Sequence, residues 1–362
     1  MSRFHTLKVS AVKNEIEEAV SVSFKIPDEL KSSFDYQPGQ YATLRLNVNG
    51  ETINRSYSFC SSPYTNEPIT IAVKRVLGGK GSNFINDNFK QGVDVEVMEP
   101  MGNFYPVLKE SNQKHYILIG GGSGITPVIS ILKSVLVKEP LSRVTLFYGN
   151  RNTASIIFKD KLDELSSQYA DRLKVVHILD APEAGWSGYT GFITKDLVPQ
   201  LLRENTNFNF QNAEFFICGP TPMMKGVEEA LTVLQMPKEK VHIEYFTAKA
   251  DEDKKAADVG TAVANETPFT GKTKVTIIYD GNTREFEVSE KETILEAALD
   301  AGYDPPYSCM VAACCTCRAK LVSGKVEMDD RESLTDAEIA KGYVLTCQAH
   351  PKSNGIVLNY DM

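Results

Sequence analysis

Four cysteines near the end of the chain restrict its fold more than any other feature. Cys309, Cys314 and Cys317 follow a C-x4-C-x2-C spacing, and Cys347 comes from a separate segment. Plant-type [2Fe–2S] clusters have this spacing, with three thiolates on one tight loop and a distant fourth. Zinc is the alternative metal, but zinc prefers paired C-x2-C units, and the sequence has no second such pair. The sequence therefore predicts a [2Fe–2S] cluster with these four ligands, which carries one electron at a time.

Net charge and length narrow the possible classes of protein. The 362 residues carry a net charge of −8 at pH 7, which argues against binding to nucleic acids or anionic membranes. A chain of this length is expected to form two or three domains. Its first residues lack the apolar core of a signal peptide, and most of its cysteines lie in one motif, which fits a reducing compartment. We therefore expect a cytoplasmic protein with no nucleic-acid or membrane partner.

The pattern of apolar residues predicts a multidomain fold. Residues 1–108 contain short alternating strands separated by turns such as Asn49-Gly50, which is typical of an antiparallel β-barrel. Residues 109–246 alternate apolar strands with helices, which indicates an α/β domain with a parallel sheet. Residues 271–362 combine a predicted hairpin and helix with the cysteine loop. Residues 247–270 contain few large apolar side chains and are expected to be a flexible linker.

The predicted barrel contains a run of residues that points to a flavin, although the run alone would be weak. Arg55-Ser56-Tyr57-Ser58 ends a predicted strand, where a half-buried tyrosine is also an ordinary structural feature. The run follows Pro38-Gly39-Gln40-Tyr41 and precedes Gly81-Ser82-Asn83 and Pro100-Met101-Gly102-Asn103-Phe104. This order of motifs resembles the flavin domain of the ferredoxin–NADP reductase superfamily.

The resemblance implies a binding site for FAD. Arg55 would neutralise the pyrophosphate, since a fixed guanidinium suits a diphosphate, and Tyr57 would pack on the isoalloxazine ring. Ser58 would hydrogen-bond near the reactive nitrogen of that ring, with Ser56 in the same run. The backbone amides of Gly81-Ser82 would bind phosphate oxygens.

A glycine-rich run in the α/β domain points to a nicotinamide cofactor. Gly120-Gly121-Gly122-Ser123-Gly124-Ile125-Thr126-Pro127 is not the usual G-x-G-x-x-G fingerprint, but it permits close backbone approach at a helix start, where a pyrophosphate binds. Within the same superfamily it resembles the pyridine-nucleotide motif, and Cys218-Gly219-Pro220 resembles the partner motif near the nicotinamide. The residues implied to bind the nucleotide are Gly121, Gly122, Gly124, Thr126, Pro127, Gly219 and Pro220.

The same resemblance places residues at the reaction centre and at the 2′-phosphate. Ser58 and Cys218 would lie at the centre of hydride transfer, although a strand cysteine is more commonly a buried core thiol. Arg151 stands where the superfamily binds the 2′-phosphate of NADP, or it is a solvated loop charge. Asp180 would repel that phosphate, and the Ser-Arg pair of many NADP-specific relatives is missing beside it. We expect NADPH, with NADH as the alternative.

The C-terminal domain resembles plant-type ferredoxins, which implies a β-grasp fold of the α+β class. Its cysteine loop has Ala312 and Cys315 where those relatives usually have small glycines. Alanine tolerates positive φ less well than glycine, so the loop is either slightly strained or does not need a left-handed residue there. Cys315 is expected to be a bystander, because the ligand spacing is met without it.

The order of the domains over nearly the whole chain resembles the family of phenylacetyl-CoA epoxidase reductases. The resemblance implies that NAD(P)H reduces FAD and that FAD reduces the cluster one electron at a time. The electron acceptor would be a multicomponent oxygenase, here the epoxidase of phenylacetate degradation. Phthalate-dioxygenase-type reductases share the domain order but bind FMN. The alternatives are the reductase of another oxygenase or of a hybrid-cluster protein, and a redox-sensing binding protein.

Overall fold

The computed structural model describes residues 4–207, 209, 211–246, 256–261, 269 and 271–362. The chain divides into two compact units. Residues 6–53 and 57–244 form the larger unit, and residues from 245 onwards form most of the smaller one. No helix in the described ranges is both long and apolar enough to cross a lipid bilayer.

The first domain is a six-stranded sheet that closes into a barrel. Its elements are β1 (Phe4–Ile16), β2 (Ala19–Lys25), β3 (Tyr41–Val48), β4 (Glu51–Ser58), β5 (Thr70–Lys74), α1 (Lys80–Asn88) and β6 (Asp94–Met98). The strand order is β4-β3-β6-β1-β2-β5, and an antiparallel bridge between Phe59 and Ile71 connects the two edges. Asn49 and Gly50 both have positive φ, as a tight two-residue hairpin turn requires. The predicted antiparallel barrel is confirmed.

The second domain is a parallel sheet with helices. Its elements are β7 (His115–Gly121), α2 (Ile125–Lys138), β8 (Arg143–Asn150), α3 (Lys159–Gln168), β9 (Leu173–Leu179), β10 (Tyr189–Thr190), α4 (Leu197–Asn205), β11 (Ala213–Cys218), α5 (Thr221–Val233) and β12 (Val241–Glu244). The strand order is β10-β9-β8-β7-β11-β12, and neighbouring strands are parallel. The order reverses between β7 and β11, so the crevice in which such folds bind ligands lies at the carboxyl ends of these two strands. The predicted α/β domain is confirmed.

The smaller unit contains a mixed sheet of the α+β class. Its elements are β13 (Ala257–Gly260), β14 (Lys272–Tyr279), β15 (Asn282–Ser289), α6 (Ile294–Asp300), β16 (Arg318–Ser323), β17 (Lys325–Met328), α7 (Asp336–Ala340), β18 (Tyr343–Leu345), β19 (Ala349–Pro351) and β20 (Ile356–Asn359). Five strands lie in the order β15-β14-β20-β16-β18, in which only β14 and β20 pair in parallel. Thr293 and Glu296 cap the start of α6 reciprocally. The predicted β-grasp domain is confirmed.

The predicted linker, residues 247–270, lies outside the described residues except for 256–261 and 269. Within this described part, β13 pairs antiparallel with β17, from Ala257 opposite Met328 to Gly260 opposite Lys325. These four residues are therefore a strand, whereas the sequence predicts a linker throughout. The strand has a weak sequence signal because Val259 is its only large apolar residue.

Candidate functional site

Two of the motifs that suggested a flavin pack against each other in the barrel. Tyr41 and Met101 exchange two backbone hydrogen bonds of 3.0 Å. Gly39 has φ +106°, and a Cβ there would lie 2.0 Å from the carbonyl oxygen of Phe104, so only glycine fits. The two motifs therefore form one joint at the start of β3, the strand next to β4.

The predicted flavin-binding run occupies the end of β4. Arg55 is exposed, Ser56 and Tyr57 are half-buried, and Ser58 is buried. One guanidinium nitrogen of Arg55 donates a 2.7 Å hydrogen bond to the carbonyl of Asn54, and a guanidinium has further donors to offer a diphosphate. An exposed cation, a half-buried aromatic ring and a buried hydroxyl at one strand end fit the phosphate and ring ends of FAD.

Gly81 and Ser82 lie in the first turn of α1, where backbone amides are not used within the helix. Gly79, the residue just before α1, has no side chain that could cap these amides. The Ser82 hydroxyl instead accepts a 3.1 Å hydrogen bond from the backbone of Val76. The backbone amides, rather than this hydroxyl, are therefore the groups suited to a phosphate.

The glycine-rich run forms the turn between β7 and α2. Gly122 has φ +53°, and apart from Gly122 itself and its two chain neighbours no atom lies within 4 Å of the position its Cβ would take. A Cβ on Gly124 would lie 2.1 Å from the carbonyl oxygen of Cys218. Gly124 therefore allows the turn to approach β11, while Gly122 leaves open space at the start of α2. This cradle fits a pyrophosphate.

The remaining predicted nucleotide residues shape the same turn. A Cβ on Gly121 would lie 2.6 Å from Pro220, and a Cβ on Gly219 would lie 2.9 Å from the backbone nitrogen of Gly121. Thr126 is buried, and its hydroxyl donates to the carbonyl of Ser123 over 3.1 Å. Pro127, in the first turn of α2, is buried and needs no backbone donor there. The structure thus brings the two predicted motifs together where the strand order reverses.

Ser58 and Cys218 are connected through a third residue, Glu244. The Ser58 hydroxyl donates a 3.3 Å hydrogen bond to the Glu244 carboxylate, and Cys218 and Glu244 lie opposite each other in the β11–β12 register. Burial, and then the charge of Glu244, raise the pKa of the Cys218 thiol well above its ordinary value. The thiol is therefore protonated at neutral pH and adds no charge to the site.

Sequence reasoning missed Glu244. Its hydroxyl partner is 186 positions away in the sequence, so no local motif links the two residues. One signal could have found it, because Glu244 ends β12 and ligands of parallel sheets bind at the carboxyl ends of strands.

Arg151 and Asp180 are neighbours at the carboxyl ends of β8 and β9. The backbone nitrogen of Asp180 donates to the carbonyl of Asn150 over 3.1 Å, and that of Ala181 donates to the carbonyl of Arg151 over 2.7 Å. Both charged side chains are exposed. The residue predicted to attract a 2′-phosphate and the residue predicted to repel it therefore flank the same position.

The four predicted cluster ligands lie together as two pairs of thiols. Cys309 hydrogen-bonds to Cys314, and Cys317 hydrogen-bonds to Cys347. The first bond, more than burial, raises the pKa of the Cys309 thiol, and it lowers that of Cys314 to about 6. Two pairs of thiols fit a cluster of two irons. Among the described residues, no three His, Cys, Asp or Glu side chains gather as a single metal ion would require.

Backbone and amide donors surround these sulfurs. The backbone nitrogens of Val311 and Cys314 lie 3.4 and 3.3 Å from Cys309 Sγ. The side-chain nitrogen of Gln348 lies 3.8 Å from Cys347 Sγ. Hydrogen bonds to the sulfurs of a cluster help to set its reduction potential, so the loop fits an anionic iron–sulfur group.

Ala312 and Cys315, the two unusual residues of the cysteine loop, differ in their structural roles. Ala312 has φ +56°, so the loop does take a left-handed residue there, at the cost in strain that alanine brings. The backbone of Ser333 supports this turn by donating to the Ala312 carbonyl over 3.2 Å. Cys315 is buried and stands outside the two thiol pairs.

Three protein families match successive parts of the chain. An oxidoreductase FAD-binding domain matches residues 6–105, and an oxidoreductase NAD-binding domain matches residues 118–229. A 2Fe-2S iron-sulfur cluster binding domain matches residues 277–352. Each match contains the motif that the structure places in the corresponding domain.

Proteins with the same order of domains match the chain over almost its whole length. One component of the 1,2-phenylacetyl-CoA epoxidase of Escherichia coli (strain K12) is 36% identical over 362 residues, which is 100% of this chain and 99% of that protein. The ferredoxin reductase component of the Rhodococcus rhodochrous 3-ketosteroid-9-alpha-monooxygenase is 36% identical, covering 99% of this chain and 97% of that protein. The structure of phthalate dioxygenase reductase is similar, with a TM-score of 0.57, 25% identity and 98% of each chain covered.

The fold and the site define an oxidoreductase that combines FAD, a nicotinamide nucleotide and a [2Fe–2S] cluster in one chain. Its relatives are the electron-donating reductases of oxygenases. The chain belongs to this family of oxygenase reductase components.

Proposed function

We propose that the protein is the reductase of a phenylacetyl-CoA epoxidase and passes electrons from NADPH to that oxygenase. The supporting observation is the collinear match to the Escherichia coli epoxidase component, 36% identical over all 362 residues. A 3-ketosteroid 9α-monooxygenase is the second candidate acceptor, because its reductase component is also 36% identical over 99% of this chain.

We assign the cofactors to three domains, which span residues 1–108, 109–246 and 271–362. The matches to the three families lie within these bounds. When bound, FAD accepts a hydride from NAD(P)H and supplies electrons singly to the [2Fe–2S] cluster. The four paired thiols, Cys309 with Cys314 and Cys317 with Cys347, are the proposed ligands of that cluster.

The residues of the first two domains bind and orient the two organic cofactors. Arg55 and the first amides of α1 hold the FAD phosphates, and the half-buried ring of Tyr57 packs on the flavin. The open turn at Gly122 holds the pyrophosphate of the nucleotide. At the meeting point, Ser58 offers a hydroxyl that Glu244 orients, and Cys218 supplies a neutral, buried thiol.

Reconstitution with each candidate oxygenase tests the proposal. The purified protein, NADPH and the Escherichia coli epoxidase oxygenase component should convert phenylacetyl-CoA to its epoxide, measured by mass spectrometry of the quenched acyl-CoA. A parallel reaction holds the ketosteroid oxygenase component and a 3-ketosteroid. Product only in the second reaction would replace the epoxidase with the steroid enzyme as the acceptor. The Cys317→Ser variant is the control, since it should reduce ferricyanide but drive neither reaction.

A further inference from the structure

A polar side of helix α2 is buried against a loop of the barrel. The loop, residues 61–67, follows β4 and is called the β4 loop below. Ser130, Lys133 and Ser134 face it and are spaced by three and four residues, so they lie on one side of the helix. Lys133 is 7% exposed, and both serines are fully buried. Such a polar side would normally face water.

Two pairs of serines connect the helix to the β4 loop. The Ser130 hydroxyl donates to the carbonyl of Ser61 over 2.5 Å. The hydroxyls of Ser134 and Ser62 are 2.8 Å apart, and Ser134 also donates to the carbonyl of Ser130 over 2.7 Å. All four serines are at most 2% exposed, so water does not compete for these bonds.

An ion pair lies at the centre of this contact. Lys133 Nζ is 2.8 Å from both carboxylate oxygens of Glu67. The same carboxylate accepts hydrogen bonds from the backbone of Ser62, over 2.7 Å, and from the hydroxyl of Thr65, over 2.8 Å. Glu67 thus orders the loop and binds the helix at once.

This contact specifies position better than it adds stability. Burying the Lys133 ammonium costs desolvation energy, and well-packed apolar side chains often stabilise as much or more. The Glu67 side chain remains 32% exposed, which weakens the attraction within the pair. Apolar side chains, however, tolerate small shifts, whereas paired hydroxyls and a charge-assisted pair have defined distances and directions. The polar side of α2 therefore admits one register of the helix on the β4 loop.

The β4 loop and helix α2, which form this contact, are each close in sequence to a proposed cofactor site. The β4 loop begins three residues after Ser58, and Ser130 follows the Gly124 turn by six residues of helix, which is about 9 Å along the helix axis. A displacement of the helix on the loop would therefore change the separation of the two sites. Hydride transfer needs reacting atoms about 3–3.5 Å apart, and a 1 Å misplacement can cost about a hundredfold in rate.

We propose that Lys133 and Glu67, with the four serines, are positioning residues that set the separation of the flavin and the nicotinamide. The proposal rests on the cofactor sites assigned under the proposed function. Lys133 and Glu67 are not among the residues assigned to those sites. We therefore expect them to act through the register of α2 on the β4 loop.

The Lys133→Met variant, which retains most of the side-chain length without the charge, tests this proposal. Its flavin should be reduced by NADPH at least about tenfold more slowly in anaerobic stopped flow, while the dissociation constant of NADP⁺ changes little. A second readout needs no turnover: the change in flavin absorbance on saturation with NADP⁺, which reports contact of the two rings, should be weaker. The Lys133→Arg variant should restore most of both signals.

The matched control is Lys159→Met, which breaks an exposed ion pair of 2.6 Å with Asp163 on α3 and should leave both signals unchanged. If Lys133→Met does not fold, Ser134→Ala removes a single hydroxyl from the contact and should lower both signals in the same direction. Parent-like rate and absorbance in the folded variant, with only a lower melting temperature, would overturn the positioning role. A parent protein whose flavin neither NADPH nor NADH reduces would instead overturn the proposed function.

Discussion

The hydroxyl of Ser58 donates a 3.3 Å hydrogen bond to the carboxylate of Glu244. The bond joins the last residue of β4 in the barrel to the last residue of β12 in the parallel sheet. Glu244 lies opposite Cys218 in that sheet, so a hydrogen bond and the backbone register bring Glu244 beside both residues that the sequence predicts at the centre of hydride transfer. Both domains of the larger unit therefore contribute residues to this predicted centre.

Removing the Ser58 hydroxyl should slow flavin reduction. The Ser58 hydroxyl is proposed to hydrogen-bond near the reactive nitrogen of the flavin. If that bond forms in the transition state and contributes about 1.5–3 kcal/mol, Ser58→Ala should lower the rate by about ten- to a hundredfold, measured by stopped-flow absorbance at saturating NADPH. Ser167→Ala, which removes an exposed hydroxyl from α3, is the control. An unchanged rate in Ser58→Ala would remove the hydroxyl from the reaction centre.

Replacing a cluster ligand should separate the two halves of electron transfer. Each of the variants Cys309→Ser, Cys314→Ser, Cys317→Ser and Cys347→Ser should lose the visible absorbance of the [2Fe–2S] cluster. NADPH-dependent reduction of ferricyanide should persist, because it occurs at the flavin. Cys315→Ser is the matched control and should retain the cluster spectrum. A Cys315→Ser protein that lacks the cluster absorbance but retains that of the flavin would show that the ligand set is shifted by one thiol.

The exposed charges at the ends of β8 and β9 should decide the choice of nucleotide. If Arg151 binds the 2′-phosphate, Arg151→Ala should raise the KM for NADPH about ten- to a hundredfold, as loss of a charge-assisted contact predicts. The KM for NADH should change little. Equal kinetics of the parent protein with NADPH and NADH would contradict the NADPH preference, and Asp180→Ala should then improve the use of NADPH.

The half-buried imidazole of His115 should make stability depend on pH. Burial, and then the charge of Arg143, lower its pKa from 6.5 to about 4. Between these values the unfolded chain binds a proton that the folded protein does not, so the free energy of unfolding rises with pH from about 4 to 6.5 and levels off above. The free energy of unfolding, measured by urea titration at several pH values in this range, should rise less steeply with pH in His115→Gln than in the parent protein. The same slope in both proteins would assign the effect to other groups.

Charge on the C-terminal domain should steer it to its acceptor. Residues 271–362 contain 10 Lys and Arg and 15 Asp and Glu, a net charge of −5 out of −8 for the chain. Electron transfer to the oxygenase should slow as ionic strength rises from about 10 mM to about 150 mM, since the Debye length falls from about 30 to about 8 Å. Ferricyanide reduction at the flavin is the control and should barely change. A rate with the oxygenase that is independent of salt would assign docking to apolar contacts.

The sequence alone predicts the parts of this protein whose residues are close together in the chain. The C-x4-C-x2-C loop, the glycine turn before α2 and the Asn49-Gly50 hairpin are each encoded in fewer than ten consecutive residues. The backbone conformation of each motif depends on its own residues, so the residue types are enough to predict it. The weak strand β13 is an exception, because its pairing with β17 rather than its own pattern makes it a strand.

Only the tertiary structure decides which distant groups meet. Ser130, Lys133 and Ser134 form a pattern typical of a solvent-facing side of a helix, yet a loop more than 60 positions earlier buries them. Glu244 carries no motif and acquires its place from the β11–β12 register and from Ser58. Local sequence determines backbone conformation, because the energy of a turn or a helix start depends on only a few neighbouring residues. Burial and hydrogen bonding of side chains depend on what the rest of the chain brings beside them, and only the folded chain determines that.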